Sequence, residues 1–160
     1  MRHRYASERG QIALYAVLLF PVLMLVLALV LTVGELEAHR ARLRAQLDMA
    51  ALTATQALDF AALARGEAPS LIPEEAEALA REYLARNLAA AGVASPASIS
   101  ASAQVSVTPA GQRDPITGRT VGGPTVSIRA SAPAALPLLS LIGFPTSVAV
   151  TVTGSAVART

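Results

Sequence analysis

No cysteine and no lysine occur in the 160 residues, and histidine occurs only twice. Without cysteine there is neither a disulfide framework nor thiolate chemistry in any compartment. Without lysine a Ser-Lys dyad is excluded. The histidines are His3 and His39, one before and one just beyond a long apolar run, so the remaining chain can build no Ser-His pair and no histidine zinc site. Aromatics are sparse as well, and past residue 40 only Phe60, Tyr83 and Phe144 remain. A ligand pocket draws on aromatics and a few convergent polar groups, and this inventory speaks against one. The thirteen basic residues are all arginine, the formal net charge is +2, and the arginines are spread along the chain. Nucleic-acid binding asks for a basic patch on one element, which is absent from the sequence. The expectation is a non-enzymatic chain with no cofactor, no metal, no small-molecule substrate and no nucleic-acid partner.

What the chain has in abundance is apolar sequence. From Gln11 to Val33 no ionisable side chain occurs except Tyr15, and Pro21 lies inside this run. Its 23 residues, at about 1.5 Å rise each, span roughly 34 Å against a bilayer core of about 30 Å. A cleaved leader has a shorter apolar region ending at small residues, whereas this run ends in Thr32-Val33-Gly34-Glu35. A retained anchor is expected. Arg2, Arg4 and Arg9 precede it, and Arg40, Arg42 and Arg44 follow Glu35 and Glu37. The arginine tally is even, but Arg9 lies nearer the membrane edge than Arg40, which leans the N-terminus toward the cytoplasm.

Between Gly34 and Gly66 there is neither proline nor glycine, and Leu36, Leu43, Ala50 and Ala57 recur every seven residues with Leu47 and Ala54 between them. This narrow stripe of mostly small side chains predicts that the membrane helix runs on as a stalk, unbroken to Arg65. Such a helix needs a packing partner, either the chain's own downstream domain or neighbouring copies. Pro73 followed by Glu74, Glu75 and Glu77 opens a second predicted helix over residues 73–91, with Ala80, Leu84, Leu88 and Ala91 on one face and Gly92 as its stop. The period then changes. Ile99, Ala101, Ala103, Val105 and Val107 alternate with polar residues and predict a strand. A turn-rich stretch from Pro109 to Pro124 leads to a second strand over 125–131. APAALPLLSLIGFP, broken by Pro133 and Pro137, is expected to form a short helix or crossover cap, and SVAVTVTGSAVA a third strand. The fold class is α+β: a long N-terminal transmembrane-plus-stalk helix, a second helix and a small antiparallel sheet of about three strands. Loops and the crossover are expected to cover the sheet edges.

Few residues tempt a chemical reading. Glu74, Glu75 and Glu77 suit a helix N-terminus. Asp114-Pro115-Ile116-Thr117-Gly118 has the composition of a cation loop but also of an ordinary aspartate turn. Gly122-Gly123 lacks the strand-to-helix setting of a phosphate cradle.

The order of elements resembles the TadE/TadG-like proteins of the Flp (tight adherence) pilus system. Arg9-Gly10-Gln11 before YAVLLFPVLM resembles their opening, and LRAQLDMAALTATQAL resembles the alanine-rich stretch after their anchor. AREYLARN is similar to their following helix, and VSIRASAPAALPLLSLIGFPTSVAVTVTGSAVA to their closing segments. The resemblance implies a minor pilin-like or pilus-assembly component, a single-pass structural protein of a Tad/Flp-type pilus assembly or secretion apparatus in the inner (cytoplasmic) membrane with a small C-terminal domain outside the cytoplasm. Its partners would be the lipid bilayer and other pilus-assembly or pilin-like subunits, or copies of itself. It also implies a processing position between Gly10 and Gln11. Processed members carry glutamate five residues after the cleaved glycine, where this chain has Tyr15, so an uncleaved chain is expected. Larger TadG-like members add a metal-binding von Willebrand A domain, whose motif this chain lacks.

The expected organisation is a basic cytoplasmic start over 1–10, a transmembrane helix over 11–33, a helical stalk over 34–65 and a small extracytoplasmic α+β domain over 66–160. The stripe Leu36, Leu43, Leu47, Ala50, Ala54 and Ala57 is the expected helix-packing surface. The competing reading is a membrane-tethered extracytoplasmic binding or sensor module unrelated to pili.

Overall fold

The computed structural model describes residues 4–136 and 147–158. Within them the chain forms α1 (Arg4–Ala54), α2 (Phe60–Ala64), α3 (Pro73–Ala90), α4 (Pro96–Ser102), β1 (Gln104–Thr108), β2 (Thr125–Ala135) and β3 (Ser147–Val157). The strands make one three-stranded antiparallel sheet in the order β1-β2-β3, with Gln104 opposite Arg129 and Thr108 opposite Thr125. This is the α+β class read from the sequence. The chain divides into two compact units, one of Met1–Ala38 with Ala135–Val148, the other of His39–Ala134 with Ala149–Thr160.

In the first unit α1 passes through Pro21 without a break in the helix. From Tyr15 to Val33 its large apolar side chains are exposed. Thr32 is an exception: it is buried, and its hydroxyl donates to the Ala28 carbonyl at 2.8 Å. That bond satisfies the threonine hydroxyl within the helix itself.

The second unit is built on three apolar faces. On α1 the buried positions Leu43, Leu47, Ala50, Ala51 and Ala54 follow the i, i+4, i+7, i+8, i+11 spacing of one helical face. On α3 they are Ala76, Ala80, Leu84 and Leu88, again one face. On the sheet, Val126, Ile128, Ala130 and Ala132 alternate along β2 and join the same core. Because so many of these side chains are alanine, backbones approach closely. At Gly154 of β3 an added Cβ would lie 2.6 Å from the Leu47 Cβ and 2.8 Å from the Asp48 nitrogen. No side chain fits there, and the neighbouring Ser155 N–H donates to Asp48 Oδ1 at 3.0 Å, tying β3 to α1.

α3 starts and stops as its residues dictate. Pro73 occupies the first turn, Glu74 and Glu75 complement the N-terminal dipole, and Gly92 takes a left-handed φ of 70° past the end.

Three segments depart from the sequence reading. The stalk does not run to Arg65, because α1 ends at Ala54. There the Thr53 and Thr55 hydroxyls donate to the carbonyls of Met49 and Leu52, and threonine hydroxyls compete with the helix ladder in this way. The backbone beyond is captured by other partners. Leu58 bridges Leu71, the Ile72 N–H donates to the Ala57 carbonyl at 2.9 Å, and Asp59 caps α2 by accepting from the Ala62 N–H at 2.9 Å.

The second departure is residues 99–102, which are helical in α4 rather than part of a strand. Pro96 opens that helix, and Arg81 of α3 closes it by donating from Nη1 to the carbonyls of Ser100, Ala101 and Ala103, each at 3.1 Å. In return the Ser100 hydroxyl donates to the Arg81 carbonyl at 2.6 Å. These bonds satisfy the carbonyls a short helix leaves orphaned.

The third departure is Pro133, which lies inside β2 rather than in a cap. β1 ends at the Gln104–Arg129 pair, so the β2 extension beyond it has no β1 partner and the missing proline N–H costs no bond to that strand. The remainder of the expected cap, over 137–146, lies outside the described residues.

Candidate functional site

Of the sequence-predicted positions, Gly10 and Gln11 lie within α1. The stripe residues Leu43, Leu47, Ala50, Ala54 and Ala57 are buried in the core of the second unit, and Leu36, in the first unit, is half-buried. Leu43, Leu47, Ala50, Ala54 and Ala57 belong to one hydrophobic core with residues of α3 and the sheet of the same chain. The large apolar side chains that α1 leaves exposed in the second unit are Met49 and Leu52, a helical turn apart. His39 sits at the start of this unit with its Nε2 buried and unpartnered.

The Asp114 segment is a folded hairpin rather than an open loop. The Gly111 N–H donates to the Val121 carbonyl at 2.8 Å, the Val121 N–H to the Gln112 carbonyl at 3.0 Å, and Arg113 bridges Thr120. Gly111 and Gly118 adopt the positive φ values, 78° and 71°, that its turns require. At its centre Asp114 is 0% exposed. Its Oδ1 accepts from the Ile116 N–H at 3.1 Å and the Thr108 hydroxyl at 3.5 Å. Its Oδ2 accepts from the Thr117 N–H at 3.1 Å, the Ser127 hydroxyl at 2.8 Å and the Thr117 hydroxyl. Burial alone would raise this carboxyl's pKa, but the hydrogen bonds from Thr117, Ser127 and the backbone of Ile116 and Thr117 outweigh it and hold the pKa below its ordinary value. Every face of the carboxylate is engaged by the protein, so Asp114 is a structural staple and not a cation ligand. Among the described residues no group of three or more His, Asp or Glu side chains converges as a metal site would need.

The hairpin covers half of the sheet's polar face. Thr108, Thr125 and Ser127 are buried beneath it, while Gln104, Ser131 and Thr151 on the same face remain exposed and Arg129 is half-buried. The uncovered half forms an open groove of about 320 Å³ lined by Ser102, Gln104, Arg129, Ala130, Ser131 and Thr151. Arg129 Nη2 donates to the Ile116 carbonyl, so the stapled hairpin holds the guanidinium in place. The Ser131 and Thr151 hydroxyls share a 2.6 Å hydrogen bond across β2 and β3.

Sequence reading did not find Arg81, Asp48, Gly154 or the Arg129 groove. The Asp59 cap before FAALA was a local signal that could have been found. The Arg81 and Gly154 contacts join residues 19 or more apart in the chain and left no local trace.

Among the described residues one helix, α1, is long and apolar enough to cross a membrane, with a window of mean hydropathy 3.0. Residues 10–65 match the model of the Tad family, described as "Putative Flp pilus-assembly TadE/G-like". No curated protein and no solved structure matches the chain.

Proposed function

We propose, with the Tad-family match over residues 10–65 as premise, that this chain is a single-pass membrane-anchored structural component of a Tad/Flp-type pilus assembly or secretion apparatus. It acts by packing against other chains and not by catalysis. The observation that carries the reading is the coincidence of that match with an apolar helix whose large side chains are exposed from Tyr15 to Val33. At about 1.5–3 kcal/mol for each large side chain removed from water, transferring that surface into lipid is favourable by on the order of 20 kcal/mol, and leaving it in water costs the same.

In this reading residues 1–10 are cytoplasmic, 11–33 span the cell membrane, and the remainder lies outside the cytoplasm, Arg9 at the membrane edge favouring that orientation. The expected stalk and domain, 34–65 and 66–160, then act together, because the stripe from Leu43 to Ala57 serves their own shared core. Surfaces left for other subunits are the membrane helix and the outward face of α1 at Met49 and Leu52. With Tyr15 at the fifth position after Gly10, the chain stays uncut between Gly10 and Gln11.

Deleting the gene in its host and restoring either the full sequence or residues 34–160 behind a cleavable leader tests the reading. The full sequence is expected to restore piliation and the leader-borne fragment is not. Normal piliation in the deletion strain would refute the role. Mass spectrometry of the membrane protein's N-terminus tests processing, and a mature chain beginning at Gln11 would overturn the uncut form.

A further inference from the structure

The uncovered half of the sheet's polar face combines three features that a mere solvated surface does not need together. The first is a positive charge without a counter-charge. Among the described residues Arg44, Arg65, Arg81 and Arg86 each have a carboxylate partner, whereas Arg129, like Arg42, Arg113 and Arg119, has none, and of these four only Arg129 lines the groove. No acidic side chain lines the groove around it. The second is fixed geometry. A guanidinium carries five N–H donors, and Arg129 commits Nη2 to the Ile116 carbonyl, inside the hairpin that Asp114 staples shut. That bond anchors the planar fork while leaving its other donors without a protein acceptor. The third is a ring of neutral polar groups: the Gln104 amide opposite Arg129 in the β1–β2 register, and the Ser131–Thr151 hydroxyl pair on the neighbouring strand.

A held guanidinium with free donors fits a carboxylate, which it grips with paired, charge-assisted bonds stronger than neutral ones. The surrounding amide and hydroxyls suit the carbonyls and N–H groups of a polypeptide. A saccharide acid would want an aromatic face to stack on, and the groove contains none. Its volume of about 320 Å³ admits one or two residues rather than a folded surface.

We infer that this groove docks an acidic side chain of an extracytoplasmic polypeptide partner, with Arg129 as the anchor and Gln104, Ser131 and Thr151 as the polar rim. Charge complementarity selects the occupant. The inference rests on the assembly reading only for placing a protein partner on this side of the membrane, and binding is measured separately from piliation, so either can fail alone.

The test uses the full chain in lipid nanodiscs, with backbone amide NMR shifts as readout. The probe is an N-acetylated, C-amidated pentapeptide with a central glutamate. Its comparators are the same peptide with central glutamine, the same peptide with phosphoserine, and glucuronic acid. The glutamate peptide is expected to give saturable shifts at Gln104, Arg129, Ser131 and Thr151. Arg129→Gln and the glutamine peptide should each weaken binding at least about tenfold, as loss of a charge-assisted hydrogen-bond pair does. Ser131→Ala with Thr151→Val, both at exposed positions, should weaken it without altering the hairpin's own amide shifts. Absence of saturable shifts, equal binding of the glutamine peptide, or undiminished binding by a folded Arg129→Gln chain would overturn the inference. Tighter binding of glucuronic acid or the phosphoserine peptide would overturn the choice of an acidic side chain.

Discussion

Two residues, Asp114 and Gly154, do work in this fold that their chemistry makes hard to replace. Asp114 satisfies hydroxyls of Thr108, Thr117 and Ser127 and backbone N–H groups of Ile116 and Thr117 at once. Removing the carboxylate strands several buried donors, each costing about 1–3 kcal/mol. Asp114→Ala is therefore expected to destabilise the second unit by about 3 kcal/mol or more, measured by urea unfolding in detergent. The same bonds give a pH signature. Because the folded-state pKa lies below the ordinary value of 3.8, the unfolded chain takes up the proton first as pH drops. Asp114's contribution is fully present above about pH 4 and disappears as pH falls through the lower folded-state value. The stability gap between the natural chain and Asp114→Asn should accordingly be constant from pH 7 to about pH 5 and narrow below about pH 4. A gap that widens on acidification would contradict the assignment. Gly154 is constrained by space, since its Cβ position is already occupied by Leu47 and Asp48. Gly154→Ala should cost about 1–3 kcal/mol through forced displacement of β3 from α1, read as a lowered thermal midpoint, and an unchanged midpoint would mean that the two backbones can part freely.

At the scale of elements, α1 changes role along its length. Its first part presents apolar side chains all around, and its last three turns present one buried face made of Leu43, Leu47, Ala50, Ala51 and Ala54. Charges at Leu43 and Ala50 are thus expected to unfold the second unit, whereas Met49→Glu with Leu52→Glu leaves it folded within about 0.5 kcal/mol. If the outward face meets another subunit, the Met49 and Leu52 pair should lower assembly while protease resistance of the second unit is retained. Assembly at the natural level in that folded variant would remove this face from the account. How much of these elements could be read in the sequence follows from where their causes lie. α3 was legible because Pro73, Glu74, Glu75 and Gly92 are local signals at its own ends. β2 and β3 were legible because a sheet with one wet face writes a period of two into the chain. The helical turn at Ile99–Ser102 was not, since alternating Ser and Ala fit a strand equally well and the deciding partner, Arg81, lies on another helix. The end of α1 at Ala54 depended likewise on a bridge to Leu71. The groove around Arg129 exists because a hairpin covers only half of the sheet, a fact of tertiary coverage that no spacing of residues encodes.

At the scale of the whole molecule, residues 10–65, which match the Tad family model, run from an N-terminal helix long and apolar enough to cross a membrane into a small α+β unit with its own core, and the proposed assembly role starts from that match. Membrane anchoring by α1 is the premise of the proposed location, orientation and partner choice alike. Its most direct test treats native membranes in two ways on the same sample: alkaline carbonate and detergent extraction, and protease added to intact spheroplasts. The chain is expected to resist carbonate, to dissolve only with detergent, and to lose the residues beyond about position 34 to external protease while the apolar segment survives. Recovery of the intact chain in the soluble fraction without detergent, or full protection from external protease in spheroplasts that admit digestion of a known outward-facing control, would contradict it.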